Sequence, residues 1–190
     1  AAVPKFLRIE LQPASGSTVP PLNGGCVEQE LRVTNSQQGA KALALRLKLV
    51  GPHDGRYTPR LQSLAQELGI GHRCDWLPWV SDGERLTLLN RCRALVMGSF
   101  WEGFGLPALE AMACETPVIA ARAGALPEVV GDAALLVNPS SPPEIAAAMD
   151  LLERDTGLAR TLGTAGAERA SRFRWDQTAA DVLTVLRELA

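Results

Sequence analysis

Ala94-Leu95-Val96-Met97-Gly98-Ser99-Phe100-Trp101-Glu102-Gly103-Phe104-Gly105-Leu106-Pro107-Ala108-Leu109-Glu110 is the stretch that decides the fold. Ala94 to Met97 form a compact, unbroken apolar run, the mark of a strand covered on both faces. A glycine-bearing loop follows. Pro107 then stands where proline is best tolerated, in the first turn of a helix that the pattern carries to Cys114. A second apolar run, Pro117 to Ala121, comes directly after. Strand, loop, helix and strand in that order describe a βαβ unit with parallel strands.

The alternation extends in both directions. Upstream, Leu47 to Pro52 reads as a strand running into a Gly-Pro turn, and Cys74 to Leu77 as a short strand. Between them Thr58 to Leu68 is an amphipathic helix, with Leu61, Leu64, Ala65 and Leu68 at helical spacing and Gly69 as its stop. Ser81-Asp82-Gly83-Glu84 has the spacing of a capping box, so a helix continues over Arg85 to Cys92. Downstream, Leu126 to Val130 reads as a brief helix, Ala133 to Val137 as a strand, and Pro142 to Glu153 as a helix opened by tandem prolines. Thr156 to Arg172 and Trp175 to Leu189 close the chain as two helices, the first interrupted by Gly163 and Gly166. The expected fold class is α/β: a Rossmann-like parallel sheet with helices on both faces.

Residues 1–49 are written differently. Phe6 to Gln12 alternates with period two, Pro13 to Pro21 is turn-rich, and Cys26 to Asn35 alternates again. Asn35-Ser36-Gln37-Gln38-Gly39 reads as a hairpin-like link to Ala42 to Leu49, although Leu45 to Leu49 also fits the α/β part. The expected division is a β-rich segment over 1–44 and an α/β domain over 45–190. No internal repeat and no low-complexity tract are visible.

Composition narrows the function classes. Of 190 residues 46% are hydrophobic, enough for a proper core, and 19 Lys+Arg against 21 Asp+Glu leave a net charge of -2. No bulk basic field is present to hold a polyanion, so generic nucleic-acid binding is disfavoured. No apolar run approaches a bilayer span and the start of the sequence lacks an apolar signal core, which point to a cytoplasmic protein without a transmembrane segment. Cys26, Cys74, Cys92 and Cys114 are scattered, with no metal-ligand spacing, and read as reduced structural thiols.

Open parallel sheets bind ligands beyond the carboxyl ends of their strands. Among those loops Gly98 to Leu106 stands out. Gly103 and Gly105 let backbone N–H groups come close to a ligand, and the helix that follows aims its positive end at a phosphate. Glu102 and Glu110 are acceptors suited to the vicinal hydroxyls of a sugar or ribose. On spacing alone, a first-turn glutamate that merely offsets the helix dipole accounts for the same residues. His53 follows one strand within reach of a ligand, although a solvated loop histidine is the commoner outcome; Arg56, close behind it, and Arg122, after another strand, are candidate phosphate partners. Trp76 and Trp79 fit core packing, and Trp101 fits either packing or stacking on a base or sugar.

Glu102-Gly103-Phe104-Gly105-Leu106-Pro107 through Glu110-Ala111-Met112-Ala113, then Thr116-Pro117-Val118-Ile119-Ala120 and Pro127-Glu128-Val129-Val130, resemble the donor-binding half of retaining GT-B glycosyltransferases of family 4. The resemblance runs over roughly residues 46 to 190 and takes in Leu49-Val50-Gly51-Pro52 and the Trp175 region. The family's E-x7-E pair falls on Glu102 and Glu110. The resemblance implies that Glu102 is the catalytic carboxylate, contacting donor-sugar hydroxyls near the anomeric centre, and that Glu110 holds the ribose hydroxyls. Backbone at Gly103, Phe104, Gly105 and Leu106 would meet sugar and diphosphate; Arg122, from its place at the sheet edge rather than from the resemblance, is a further candidate contact. The donor would be a nucleoside-diphosphate sugar, with neither metal nor other cofactor, and transfer would retain the anomeric configuration.

The pattern is not fully kept. The family usually has Gly at Glu115 and Gly-Gly at Gly124-Ala125, and its opening strand, Gly-Arg loop and Lys-bearing helix have no match in residues 1–44. The N-terminal acceptor-binding domain of the family is missing too, so the chain is expected to bind donor but to transfer weakly or not at all alone. Residues 1–49, through blocks such as Leu31-Arg32-Val33-Thr34-Asn35-Ser36-Gln37, resemble the final strands of the γ-adaptin ear. Two explanations fit that resemblance: a chimera joined at a shared strand, which is favoured, or a chance β-rich extension of a glycosyltransferase. It brings two rival readings: an interaction module of vesicle trafficking, or a recombined or engineered chain without activity. An exposed edge strand in this segment would offer a homodimer contact.

Overall fold

The computed structural model describes residues 6–13, 29–36 and 45–189. Its strands are β1 (Phe6–Pro13), β2 (Gln29–Ser36), β3 (Leu47–Val50), β4 (Cys74–Leu77), β5 (Leu95–Met97), β6 (Val118–Ala121) and β7 (Leu135–Val137). Its helices are α1 (Thr58–Glu67), α2 (Asp82–Arg91), α3 (Leu106–Ala113), α4 (Leu126–Val130), α5 (Pro142–Arg154), α6 (Thr156–Ala170) and α7 (Trp175–Glu188), with a 3-10 turn at Gly71–Arg73. Each strand and helix expected after residue 46 is therefore present within a few residues of its expected limits.

β1 and β2 pair antiparallel, Phe6 opposite Ser36 and Pro13 opposite Gln29. The parallel strands form two ladders rather than one continuous sheet: β3 with β4, and β5-β6-β7 with β6 in the middle. The strand expected over Ala42 to Leu49 thus begins at Leu47, and its partner is β4 in parallel register, Leu47 beside Cys74. Residues 37–44 of the expected hairpin link lie outside the described residues.

β6 shows why helices cover both faces. Its four residues are fully buried. Val118 and Ala120 point into a cluster with Ala108, Ala111 and Met112 of α3, Leu126 and Val130 of α4, and Leu89 of α2. Ile119, between them, points the other way, into Val137 of β7, Ile145, Ala148 and Leu152 of α5 and Leu162 of α6, with Leu68 and Ile70 just past α1 packed on the rim. Over Val118 to Ala120 the strand periodicity of two sends alternate side chains to opposite helical layers, while Ala121 at the strand end joins the first cluster.

α2 starts as its sequence requires: the Ser81 hydroxyl accepts from the Glu84 N–H at 3.3 Å and the Ser81 N–H donates to Glu84 Oε2 at 2.8 Å, a complete capping box. At the end of α3 the Glu115 N–H bonds the Met112 carbonyl and the Thr116 N–H the Ala111 carbonyl, both at 2.9 Å. This is a Schellman closure, and its left-handed residue is Glu115, with φ 56°. The glycine usual at this position in the family thus has a conformational reason.

Two expectations are corrected here. α6 runs unbroken through Gly163 and Gly166, which serve packing: a β-carbon at 163 would overlap the Glu115 carbonyl oxygen, and one at 166 would press on Met112 at 3.1 Å. Trp79 is 84% exposed, because the turn between β4 and α2 carries it away from both clusters; Trp76, in β4, is partly buried. α7 has no buried residue, and Trp175, Val182, Val185, Leu186 and Leu189 all face solvent. Among the described residues no helix is long and apolar enough to cross a membrane.

Candidate functional site

The loop from Gly98 to Gly105 leaves the carboxyl end of buried β5 and turns into α3 at Gly105, whose φ of 97° is left-handed. Glycine is favoured there by the backbone, and Leu126 would have to shift to admit a side chain. A side chain would strain that conformation, and a β-carbon would approach Leu126 Cδ2 to 2.7 Å. Pro107 occupies the first turn, where a missing N–H removes no helical bond. The N-terminal end of α3, with its unshared N–H dipoles, therefore faces the space beyond the strand ends.

A second loop braces the first. After β6 the chain reaches Gly124, left-handed at φ 55°, which lies so close to the first loop that a β-carbon would be 2.8 Å from both the backbone N and O of Glu102. The Ala125 N–H donates to the Glu102 carbonyl at 3.1 Å. Ala125 itself has ordinary helical angles, φ -80° and ψ -9°, so replacing the family's second glycine costs nothing in conformation. Phe104 is tied down from the other side by an edge-to-face contact with Phe173, ring centres 5.8 Å apart, and Arg169 stacks over Phe173 at 5.4 Å while donating to the carbonyls of Glu128 and Val129. The Glu102-bearing loop is thus held by α4 and by the segment after α6.

Glu102 is partly buried, while Trp101, Gly103, Phe104 and Leu106 are exposed. Leu106 and Glu110, four residues apart, share the face of α3 opposite to Ala108, Ala111 and Met112, which enter the core. Four residues of rise put Glu110 about 6 Å along the axis from the helix start. Its carboxylate meets Arg85 of α2: Arg85 Nη1 lies 3.1 Å from Glu110 Oε1. Glu110 Oε2 is buried and has no hydrogen-bond partner. Arg85 also pairs with Asp82 at 3.0 Å through Nη2. This pairing was not visible in the sequence, since the two charges are 25 positions apart on separate helices.

The other candidates are placed as follows. Arg122 stands just past β6 on the expected sheet edge, but its Nη2 donates to the Leu136 carbonyl at 2.9 Å and lies 4.0 Å from Glu144 Oε1. Arg56 is engaged locally by Asp54, with Nη2 3.2 Å from Oδ2, and packs over Tyr57. His53 is exposed after β3. Partial burial pushes the thiol of Cys74 up, which keeps it protonated at neutral pH. Among the described residues no group of three or more His, Cys, Asp and Glu side chains converges as a metal site.

A parallel ladder with helices on both faces, carrying a glycine-pinned acidic loop at its strand ends, is the architecture of one half of a GT-B glycosyltransferase. The model of the family "Glycosyl transferases group 1" matches residues 34–169, and the chain belongs to that family. It is similar to the D-inositol 3-phosphate glycosyltransferase of Streptomyces bingchenggensis, 40% identical over 131 residues, covering 68% of this chain and 29% of that protein. Among solved structures it is similar to the sucrose-phosphate synthase of Thermosynechococcus elongatus, TM-score 0.69 and 34% identity, over 76% of this chain and 38% of the other. The HepE protein of Anabaena, solved with UDP-glucose, aligns with TM-score 0.67 and 27% identity over 74% of this chain and 41% of the other. The chain thus spans about a third of the length of the curated relatives it matches. A second model, "Adaptin C-terminal domain", matches residues 1–53 and overlaps the first over 34–53.

Proposed function

We propose that residues 45–190 bind the donor of a retaining glycosyltransferase, a nucleoside-diphosphate sugar. The observation that carries this reading is the braced loop. Gly105 starts α3 in a conformation that opens its N-terminal end to an anion, Gly124 and Ala125 fix the backbone of Glu102 beside it, and Glu110 follows on the same face. In this reading the diphosphate rests on the helix end, and backbone at Gly103 to Leu106 follows it. Glu102 accepts from hydroxyls of the sugar next to the anomeric carbon, and Glu110 accepts from the ribose once Oε1 leaves Arg85 or Oε2 is uncovered. When the bond from the anomeric carbon to the diphosphate oxygen breaks, the negative charge left on the diphosphate is stabilised by the dipoles already aimed at it. Arg122 reaches the diphosphate only by leaving Leu136 and Glu144, so we assign it a minor part. The similarity to a protein solved with UDP-glucose supports the donor class. The acceptor side is assigned to sequence that the longer relatives have beyond the matched region.

Calorimetric titration of the folded chain with UDP, GDP, ADP and their sugars tests the reading. At least one should bind, and Glu110→Ala should weaken it by about 10- to 100-fold, the cost of removing hydrogen bonds to a charged acceptor. Absence of heat with every ligand would refute it.

A further inference from the structure

Between Glu102 and Leu106 the chain runs Gly103-Phe104-Gly105, and a β-carbon at Gly103 would meet nothing within 4 Å. Trp101 and Leu106, on either side, are exposed. Two glycines give this backbone many conformations, and the ring of Phe104 is the one side chain among the three residues that can select between them. It meets Phe173 edge to face, ring centres 5.8 Å apart. Phe173 is itself fixed twice: its N–H donates to the Ala170 carbonyl at 3.0 Å, and the Arg169 guanidinium lies 5.4 Å over its ring. That guanidinium donates to the carbonyls of Glu128 and Val129 in α4, the same short helix whose N-cap, Ala125, holds the Glu102 carbonyl. The stretch is thus tied to α4 at both ends, by a backbone bond at Glu102 and by two rings and an arginine at Phe104. Both rings stay partly exposed, so the contact is not part of either buried cluster. With its ring occupied by Phe173, Phe104 has only its backbone left for a ligand.

Resting on the donor-binding reading above, we propose that Phe173 is a positioning residue for the diphosphate: by holding the Phe104 ring it keeps the backbone of residues 103–106 in the arrangement that the diphosphate uses. Pre-organisation of this kind raises affinity by sparing the ligand the cost of ordering the loop. An edge-to-face pair changes the population of the held loop by about three- to tenfold, and a ligand that needs the held loop loses no more than that factor when the pair is broken.

Two measurements test this on the unmodified chain, Phe173→Leu, Phe173→Tyr, Phe104→Leu and the double leucine variant, each verified as folded by circular dichroism and a urea midpoint. The first is chymotrypsin cleavage under native conditions, mapped by mass spectrometry. To be cut after Phe104 the ring must leave Phe173 and enter the protease, so this rate follows the released loop, while cleavage after Trp79, exposed in another turn, reports general loosening. The second is calorimetry with UDP, GDP and ADP against UMP, GMP and AMP. Phe173→Leu should speed cleavage after Phe104 by about three- to tenfold with cleavage after Trp79 unchanged, and should weaken the diphosphates by the same factor and the monophosphates less. Phe173→Tyr, which keeps the ring edge, should restore both. Phe104→Leu should weaken the diphosphates as much as Phe173→Leu, and the double variant no further. Unchanged cleavage after Phe104, or an equal rise after Trp79, would overturn the proposal. So would unchanged diphosphate affinity, equal weakening of di- and monophosphates, additive losses in the double variant, or a tyrosine variant no better than leucine. Failure of the unmodified chain to bind any of the six nucleotides would instead refute the donor-binding reading, and this inference with it, even where the cleavage pattern shows the loop held by Phe173.

Discussion

Glu115→Gly should make the protein more stable although it deletes a side chain and touches no core contact. Glu115 closes α3 in the left-handed conformation, φ 56°, and its side chain is exposed. For a residue with a β-carbon that conformation costs roughly 1–2 kcal/mol, because the β-carbon crowds the following carbonyl. Glycine removes the strain but has more freedom to lose on folding, about 0.5–1 kcal/mol. The difference is a net gain of about 0.5–1 kcal/mol, or about 1–4 °C in Tm for a chain of this size. The Schellman bonds to Met112 and Ala111 need no rearrangement, and Gly163 already accommodates the carbonyl at 115. Urea unfolding followed by circular dichroism reads the effect as a higher midpoint with an unchanged slope. A midpoint that stays put or falls would mean that the backbone at 115 is unstrained, and the account of this helix end would be wrong.

Three further changes test other parts of the structure. Gly124→Ala places a β-carbon 2.8 Å from the backbone of Glu102 at a left-handed position, and should cost about 2–4 kcal/mol in urea unfolding while weakening nucleotide binding in calorimetry. Ser81→Ala removes the cap of α2 and should cost about 1 kcal/mol by the same unfolding assay, with nucleotide affinity unaltered. Asp75 is held at about 2 by hydrogen bonds from Arg46 and then Lys48, well below its ordinary value. Because the folded value is the lower one, this contribution is fully present above about pH 4 and fades as pH falls toward 2. A pH series of urea midpoints should therefore lose part of its acid slope in Asp75→Asn; an identical slope would show that the network contributes nothing.

How much was legible in the sequence follows from the range of the interactions. The unit from Ala94 to Ala121 was readable because its signals are local: an unbroken apolar run, a proline one residue into a helix, glycines at a turn. The Ser81 to Glu84 cap was readable for the same reason. What escaped depends on distant partners. Gly163 and Gly166 read as helix breakers because nothing nearby announces that α3 presses on them, and within a packed helix pair close approach outweighs propensity. Trp79 read as core from its type, but its burial depended on a turn whose direction the sequence does not state. The Arg85–Glu110 pair required the packing of α2 on α3, and the separation of β3-β4 from β5-β6-β7 required strand order, which alternation alone does not specify.

That separation governs how the molecule comes apart. The strand at the heart of the β5-β6-β7 ladder is sealed from water on every residue, whereas β3 leaves Lys48 and Val50 exposed, and from the stretch 47–77 Leu68 and Ile70 pack only on the rim of the second cluster. Amide deuteration should accordingly sweep through 47–77 long before it reaches 118–121, as a cooperative local opening that leaves the acidic loop and its helix standing. The region that recognises ligand would thus outlive its neighbour under mild denaturant, a rank order of survival rather than a single melting event.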